Sequence, residues 1–491
     1  MARERRSRVL PSDRGQLGKF TRVTSKRLSP LDSMFLAAES PETMMHVAGL
    51  MQFRPASGDA EDILDQLRDE IYGSNEIEPP WNMKLQTPWF LLNPLQRWVE
   101  DTKFDVMYHV RRSALPRPGD QRELGILISR LHARQLDLTR PPWELHIIEG
   151  LDDGNVALYV KMHHALVDGY TAMKTLIRSM STDPSDAETP LFFRNPVPKR
   201  ERKMDEKDSS LIPDIGGLLR SVTSELSTVI DLPAAFAKLA ITAVSKGNPL
   251  VGPGQAPHTI FNGRIGRSRR FATQQYDIAR LRAVAEAAGG TLNDVALAIC
   301  GGGLRDYLLG LDALPEKSLI AMLPVNIRPK DDPGGGNAVG AILATLGTDI
   351  VDARERIEAI SASTQAAKEQ LSGMTSNAIL AYTAALMAPF LVQTGAATMG
   401  APKVAPASYN VILSNVPGPD YPLYFRGNEL VSTYPVSIPV HGVGLNITCQ
   451  SYSGTLNFGF AGCRDSMPHM QKLAIKTGEA LAALERTYGL A

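Results

Sequence analysis

An α/β chain of two domains joined by a helical crossover is the architecture the sequence predicts, and three observations predict it. The 491 residues exceed what one hydrophobic core organises, so two domains of roughly 200 residues are expected. Both halves alternate runs of period two with runs of helical spacing, as layered strands and helices require. Between them, from Asn195 to about Arg270, the composition changes. VPKRERKMDEKDSS is charged and solvated, and IPDIGGLLRSVTSELSTVIDLPAAFAKLAITAV is loosely amphipathic and broken at Pro233. The division is therefore a basic arm over 1–27, a first domain over 28–194, a crossover over 195–269 and a second domain over 270–491.

The arm, MARERRSRVLPSDRGQLGKFTRVTSKRLSP with the first residues that follow it, is basic and lacks an apolar h-region, so no secretory signal is expected and a cytoplasmic location is. It reads as a disordered tail or, through Arg3, Arg5, Arg6 and Arg8, as an attraction to anionic lipid headgroups. LSPLDSMFLAAES opens the first domain as a helix. VALYVKM alternates in the way a half-buried strand requires, and GYTAMKTLIRSMS returns to helical spacing. The crossover's apolar face is either a packing face or a membrane anchor.

In the second domain DIARLRAVAEAAG, TLNDVALAICGGGLRDYL and DARERIEAISASTQAAKEQL are helical, and SLIAMLPVNIRP is a strand. SYNVILSNVPGP, GLNITCQSY and TLNFGFAG alternate and end in turn residues, as strands of a mixed sheet do. Gln370 to Pro402 carries no charge, but Ser, Thr, Asn, Gln, Gly and Pro389 interrupt it. Its densest apolar run, AILAYTAALMAPFLV, is shorter than the roughly 20 residues a span needs, so a buried or interface-lying helix is expected.

Composition excludes several functions. Lys and Arg number 52 against 52 Asp and Glu, which offers no electrostatic footprint for nucleic acid. Cys300, Cys449 and Cys463 form no CxxC and no zinc spacing, so a reducing compartment and no structural metal are expected. There is no GxSxG elbow, no GxxxxGK[ST] loop and no GxGxxG after a strand. DPGGGNAVG, Asp332 to Gly340, reads as a loop rather than a phosphate cradle.

The chemistry concentrates in HHALVDG, on the turn between VALYVKM and the helix after it. A neutral imidazole near pH 7 can take a proton from a hydroxyl and return it in one cycle. His163 and His164, adjacent at a strand end, point to opposite sides, so one of them can face a given cavity. Asp168 is placed to cap the helix starting near Gly169, and Gly169 allows a close backbone approach. The same residues also fit a core or surface pair beside an ordinary capped helix, and metal binding would need ligands beyond the two rings.

HHALVDG matches the HHxxxDG signature of the CoA-dependent acyltransferase superfamily, and the chain resembles the bacterial wax ester synthase/diacylglycerol acyltransferase family. LSPLDSMF, RPPWELHIIEGL, TLNDVALAICGGGLRDYL, LPVNIRP, the GNAVG loop, SNVPGPDYPLYFRG and GLNITCQSY resemble family blocks in the family's order. The signature alone is shared with condensation domains and chloramphenicol acetyltransferase-like enzymes; the ordered set is more specific. The resemblance implies two chloramphenicol acetyltransferase-like domains with mixed sheets and a channel between them, open to acyl-CoA on one side and a hydrophobic acceptor on the other.

It further implies His164 as general base, His163 as its supporting neighbour, and Asp168 and Gly169 as holding the loop. Asn293 stands where the family has an Asn linked to activity, which makes it a candidate for positioning substrate or oxyanion; it also reads as the N-cap of DVALAIC. Trp143 resembles the family's PLW block beside the substrate channel, and reads equally as a core aromatic. Asn415, Pro417 and Gly418 resemble a channel-contacting NVPGP turn, and a tight strand-ending turn accounts for them too. Pro142 and His146 depart from the family pattern, which leaves acceptor preference open.

The implied reaction moves a long-chain acyl group from acyl-CoA to a fatty alcohol or diacylglycerol, with no cofactor and no covalent intermediate. Peripheral attachment to the inner membrane face or to lipid inclusions is expected, through Ala378 to Val392 and the crossover. A carrier-bound donor, another acceptor, or a silent lipid-binding role are the alternatives. Nothing in the sequence sets an oligomeric state.

Overall fold

The computed structural model describes residues 25–73, 77–167, 169–195, 249–326, 339–372, 374 and 376–490. The basic arm before Ser25, Asp168, the helical part of the crossover and most of the Gly-rich segment at 332–340 lie outside the described residues.

Among the described residues the first half contains strands β1 (Ser25–Arg27), β2 (His46–Arg54), β3 (Met83–Leu85), β4 (Arg97–Glu100), β5 (Val110–Ala114), β6 (Trp143–Glu149) and β7 (Val156–His163). Its helices are α1 (Pro30–Ala38), α2 (Ala60–Gly73), α3 (Val106–His109), α4 (Gln121–His132) and α5 (Gly169–Arg178). The second half has β8 (Arg269–Asp277), β9 (Ile320–Asn326), β10 (Val339–Thr345), β11 (Val411–Val416), β12 (Tyr424–Phe425), β13 (Asn428–Val436), β14 (Leu445–Tyr452) and β15 (Thr455–Cys463). Its helices are α6 (Ile278–Ala287), α7 (Leu292–Leu309), α8 (Ala353–Leu371), α9 (Ser376–Thr398) and α10 (Gln471–Thr487).

Two six-stranded mixed sheets form the frame, ordered β12-β13-β2-β7-β6-β5 and β10-β9-β11-β14-β15-β8, with a small β1-β4-β3 sheet beside the first. In the first, β5 runs parallel to β6; in the second, β11 runs parallel to both β9 and β14. Residues 424–436 belong to the second half in sequence but pair with the first: β13 lies antiparallel to β2 over Glu429 to Val436. The halves are thereby laced together. Where β13 crosses β15, the Pro435 carbonyl comes so close to Gly459 that a Cβ there would lie 1.8 Å from its oxygen, a contact only glycine permits.

A shared core fills the junction. Leu50 from β2, Ile128 and Leu131 from α4, Tyr159 from β7, Phe271 from β8 and Tyr434 from β13 form one buried cluster. Ser129 of α4 accepts the Phe271 N–H through Oγ at 2.9 Å, so the helix docks directly on the edge of the second sheet. Each sheet also has its own core, α2 and α5 covering the first and α6, α7, α8 and α10 the second.

Local sequence explains the helix starts that matter for the site. Ser29 caps α1 in a reciprocal box with Asp32, with Pro30 in the first turn where its missing N–H costs nothing. Thr291 caps α7, its Oγ1 taking the Asp294 N–H while Asp294 takes the Thr291 N–H at 2.9 Å. Asn293 is therefore not the cap; it sits in the first turn. β7, expected to be half-buried, is buried at all eight positions, because α4 and the second sheet cover the face that alternation assigned to water. Among the described residues no single helix is long and apolar enough to cross a membrane.

Candidate active site

β7 ends on His163, and the chain turns through His164 to Val167 into α5. Backbone hydrogen bonds hold the turn: His163 N–H to the Pro142 carbonyl at 2.9 Å, His164 N–H to the Met45 carbonyl at 2.8 Å, and the Leu166 and Val167 N–H groups to the His163 carbonyl at 2.9 and 3.4 Å. The histidine pair is thus anchored on both neighbouring strands of its sheet.

The two rings have different surroundings. His163 is buried and opposite His46 across the β2–β7 ladder. Its Nδ1 accepts the Ala165 N–H at 3.1 Å, so in the neutral ring the proton is on Nε2, which faces Glu39 Oε2 at 3.6 Å. Glu39 is fixed in turn: Oε2 accepts the Met45 N–H at 2.5 Å and Oε1 accepts from Gln135 at 3.1 Å. His164 is half-buried, and its ring stacks on Phe35 of α1 with centroids 4.0 Å apart and planes at 21°. One ring belongs to the scaffold and the other stands at the edge of it.

Behind the turn lies a buried polar network on the His163 side of β7. Lys161, fully buried, donates to the Leu131 carbonyl at 3.1 Å, the Arg134 carbonyl at 3.0 Å and Glu144 at 3.0 Å. Glu144 also receives His146 at 3.1 Å and Arg111 at 3.1 Å. Burial alone would raise the Glu144 pKa, but the His146 hydrogen bond and the Lys161 and Arg111 charges overcome it and hold the carboxylate at about 2. Burial also pulls Lys161 below the ordinary lysine value, against the attraction of Glu144.

His132 donates from Nε2 to the Ser437 carbonyl at 3.1 Å, which leaves Nδ1 to accept the Tyr159 hydroxyl at 2.8 Å. Burial, then the Lys161 and Arg269 charges, lower its pKa to about 3, and burial likewise lowers that of His46, which donates to the His132 carbonyl at 3.0 Å. Both stay neutral near pH 7. They carry structure rather than protons.

The remaining sequence-predicted residues fall in three places. Trp143 is buried among Trp81, His109, Phe192 and Phe193, with its indole N–H on the Trp81 carbonyl at 2.7 Å; it lies opposite Met162, the residue before His163, and its neighbour Pro142 accepts the His163 N–H. Asn293 is half-buried in the first turn of α7. Asn415, the penultimate residue of β11, lies opposite Cys449, Pro417 is exposed, and the Gly418 N–H reaches Ser451 Oγ at 2.9 Å. A Cβ on Gly418 would come within 2.1 Å of the Ser451 carbonyl oxygen, so this turn requires glycine. Gln450, opposite Val416, donates to the sulfur of Met173 on α5, which joins the Asn415–Gly418 turn to the helix following the histidines. Gly169 opens α5, and Asp168 lies outside the described residues.

Sequence reasoning missed Phe35, Glu39 and the Met45 carbonyl. Phe35 and Glu39 are four apart in a run already read as helical, a spacing that puts them on one face, but nothing local says that face meets the histidine turn. A small apolar recess of ≈ 20 Å³ lies beside α5, lined by Met51, Phe53, Leu158, Val160, Leu176 and Met180 among others. Among the described residues no group of three or more His, Cys, Asp or Glu is placed to hold a metal ion.

Comparison with known proteins adds the following. Residues 28–296 match the family profile described as the wax ester synthase/diacylglycerol acyltransferase catalytic domain, and residues 335–485 match the WS/DGAT C-terminal domain. A putative diacylglycerol O-acyltransferase of Mycobacterium tuberculosis is 51% identical over 492 residues, covering 95% of this chain and 99% of that one. The O-acyltransferase WSD of Acinetobacter baylyi is 37% identical, covering 93% and 96%. The solved wax ester synthase/diacylglycerol acyltransferase of Marinobacter aquaeolei VT8 superposes with a TM-score of 0.75 at 36% identity, covering 94% of this chain and 99% of that one.

Proposed function

We infer the reaction from a plain premise: this chain belongs to the wax ester synthase/diacylglycerol acyltransferase family, and it is an acyltransferase. Acyl-CoA is the donor, and the acceptor is the hydroxyl of a long-chain alcohol or a diacylglycerol. The products are a wax ester or a triacylglycerol and free CoA. The enzyme works at the periphery of a membrane or lipid inclusion.

His164 is the general base. Its imidazole takes the hydroxyl proton as the acceptor oxygen attacks the thioester carbonyl. The C–S bond then breaks, and the same ring delivers the proton to the departing thiolate. The new C–O bond forms without an enzyme-bound acyl group. Phe35 fixes the plane of the ring by stacking on one face, and the Met45 carbonyl fixes its backbone. Orientation of this kind supplies part of the acceleration without any further functional group.

His163 and Glu39 hold the turn rather than touch substrate, and Asp168 and Gly169 set its exit into α5. The tetrahedral oxyanion needs a donor, whose loss typically costs about 3 kcal/mol of barrier. Asn293, half-buried at the start of α7, is the candidate for it. The Asn415–Gly418 turn closes the site from the second half, through the Gln450 contact with α5.

The observation that carries this reading is the placement of the pair: His163 is buried, with Nδ1 on the Ala165 N–H and Nε2 facing Glu39, while His164 is half-buried at the turn with its ring stacked on Phe35. Release of CoA from palmitoyl-CoA with hexadecanol or a diacylglycerol tests it. His164→Ala is expected to abolish turnover in protein that remains soluble and folded, and His163→Ala to lower it. Equal activity in the parent and both variants would remove the assignment.

A further inference from the structure

The loop from Gln86 to Gln96, between β3 and β4, reads QTPWFLLNPLQ and carries no charge. It is not folded inward: Trp89 is 82% exposed, Leu92 67%, Leu95 60% and Phe90 53%. An apolar cluster this open to water marks a contact surface rather than a packing accident.

The loop is also stiff. Gln96, itself buried, accepts the Thr87 N–H at 2.9 Å and its hydroxyl at 2.8 Å, and donates to the Thr87 carbonyl at 2.8 Å. Asn93 donates to Thr87 Oγ1 at 3.0 Å and accepts the Leu95 N–H at 2.9 Å, while the Phe90 and Asn93 N–H groups close two turns at 3.1 Å. Polar groups paired inside the loop lower the cost of carrying it into a bilayer interface, where less water is left to satisfy them.

Charge at the base names the partner. β1 pairs with β4 so that Arg27 lies directly opposite Arg97, with Lys26 exposed beside them. Like charges opposed across strands repel unless an anion lies between them. Aromatic and leucine side chains at the tip with cations one layer behind reproduce the depth profile of a bilayer interface with anionic headgroups.

The tip is continuous with the candidate site. Leu91 turns inward beside Leu28, Phe35 and Leu166, on a core of Leu36, Met83, Leu85, Trp98 and Ala165, and Phe35 is the ring stacked on His164. One layer of apolar side chains separates the exposed loop from the proposed base.

We propose that the Thr87–Gln96 loop inserts into a phospholipid bilayer bearing anionic headgroups and lets the apolar acceptor pass from it to His164. The first half stands on the loop alone, and the second rests on the acyl-transfer reading. Trp89 is the exposed tryptophan of the four, Trp81, Trp98 and Trp143 being buried, so its emission reports the loop.

The full chain is sedimented with vesicles of phosphatidylcholine, with and without phosphatidylglycerol, and its fluorescence is read with brominated lipid. Binding to the anionic vesicles with a blue shift and bromine quenching is expected. Trp89→Ser with Leu92→Ser should weaken it about tenfold or more, and Arg27→Gln with Arg97→Gln should weaken it only where phosphatidylglycerol is present. Turnover of diacylglycerol in vesicles should fall in step for the Trp89/Leu92 variant, with turnover of butanol unchanged.

Vesicle binding that survives the Trp89/Leu92 change, or absence of quenching, overturns the proposal. So does a parent that dimerises through this loop in sedimentation velocity and ignores vesicles. A parent that binds vesicles but releases no CoA with any acceptor refutes the acyl-transfer reading instead.

Discussion

Replacing Glu144 by glutamine removes one charge and almost no volume from the network behind the histidine turn, and the structure sets the size of the effect. The carboxylate is held at about 2 against an ordinary value of 4.5. At about 1.4 kcal/mol per decade, that gap makes the ionised, paired form worth about 3 kcal/mol of folding stability at pH 7. Breaking a buried pair on one side typically costs 3–5 kcal/mol, and here the abandoned partner is Lys161, which has no exposed surface. Glu144→Gln should therefore unfold at lower urea than the parent at neutral pH, by about 3 kcal/mol.

The pH dependence separates this electrostatic effect from a packing one. A carboxylate whose folded pKa is depressed stabilises above its unfolded pKa and loses that contribution as pH falls through the folded value, so the window runs from 4.5 down to about 2. The parent should lose its advantage over the variant as acid protonates Glu144, from about 3 kcal/mol at pH 7 to about 1.5 at pH 3. Groups common to both proteins cancel in the difference. Urea midpoints and slopes by intrinsic fluorescence, for both proteins across this range, measure it. A difference that stays constant with pH would show that the lost free energy is steric, and that the charge of Glu144 is not what holds Lys161 in β7.

Phe35→Ala removes the stacked partner of His164 and part of the apolar layer beside Leu91 and Leu166; a stack of this kind is worth about 0.5–1.5 kcal/mol, so turnover should fall roughly three- to tenfold, with Tm lowered by the lost packing, and an unchanged rate would deny the ring any orienting role. Trp143→Phe loses the 2.7 Å bond to the Trp81 carbonyl and some buried volume. It should cost about 2 kcal/mol of stability and leave the ranking of acyl-chain lengths as it was. A shifted ranking would instead return Trp143 to the wall of the substrate channel.

What the sequence disclosed follows the range of the interactions concerned. The strand, turn and helix around His163 and His164, the capping residues and the long helices all answer to neighbours within a few positions, and periodicity reads them. Strand geometry leads to the expectation that the two rings point to opposite sides; in the structure His163 faces Glu39 and His164 stacks on Phe35, four residues apart on one helical face. Asn293 was misread as a possible cap because Thr291, two residues earlier, satisfies the Asp294 N–H itself.

Pairing between distant segments leaves no such local mark. Nothing in NELVSTYPV tells that it joins β2 rather than a strand of its own half, and nothing in Lys161 tells that Glu144 waits across the ladder. The same limit hid the loop at Trp89. An apolar run in a soluble domain is ordinarily taken inward, and only the tertiary arrangement shows that this one has β3 and β4 behind it and water in front.

These nonlocal features bear on the chemistry because they decide what can move. The β13 exchange and the α4–β8 contact lock the two sheets together, so opening by separation of the halves would have to break the shared core as well as the β2–β13 ladder. Substrate access must then come from smaller elements at the edge. The Phe35 side of the turn is such an edge: His164 is half-buried there, and the apolar layer from Leu91 to Leu166 lies between it and the open loop. A rigid frame with an apolar edge would suit the proposed passage of an acceptor from a bilayer, because the acceptor would exchange one apolar surrounding for another and water would have no cause to follow.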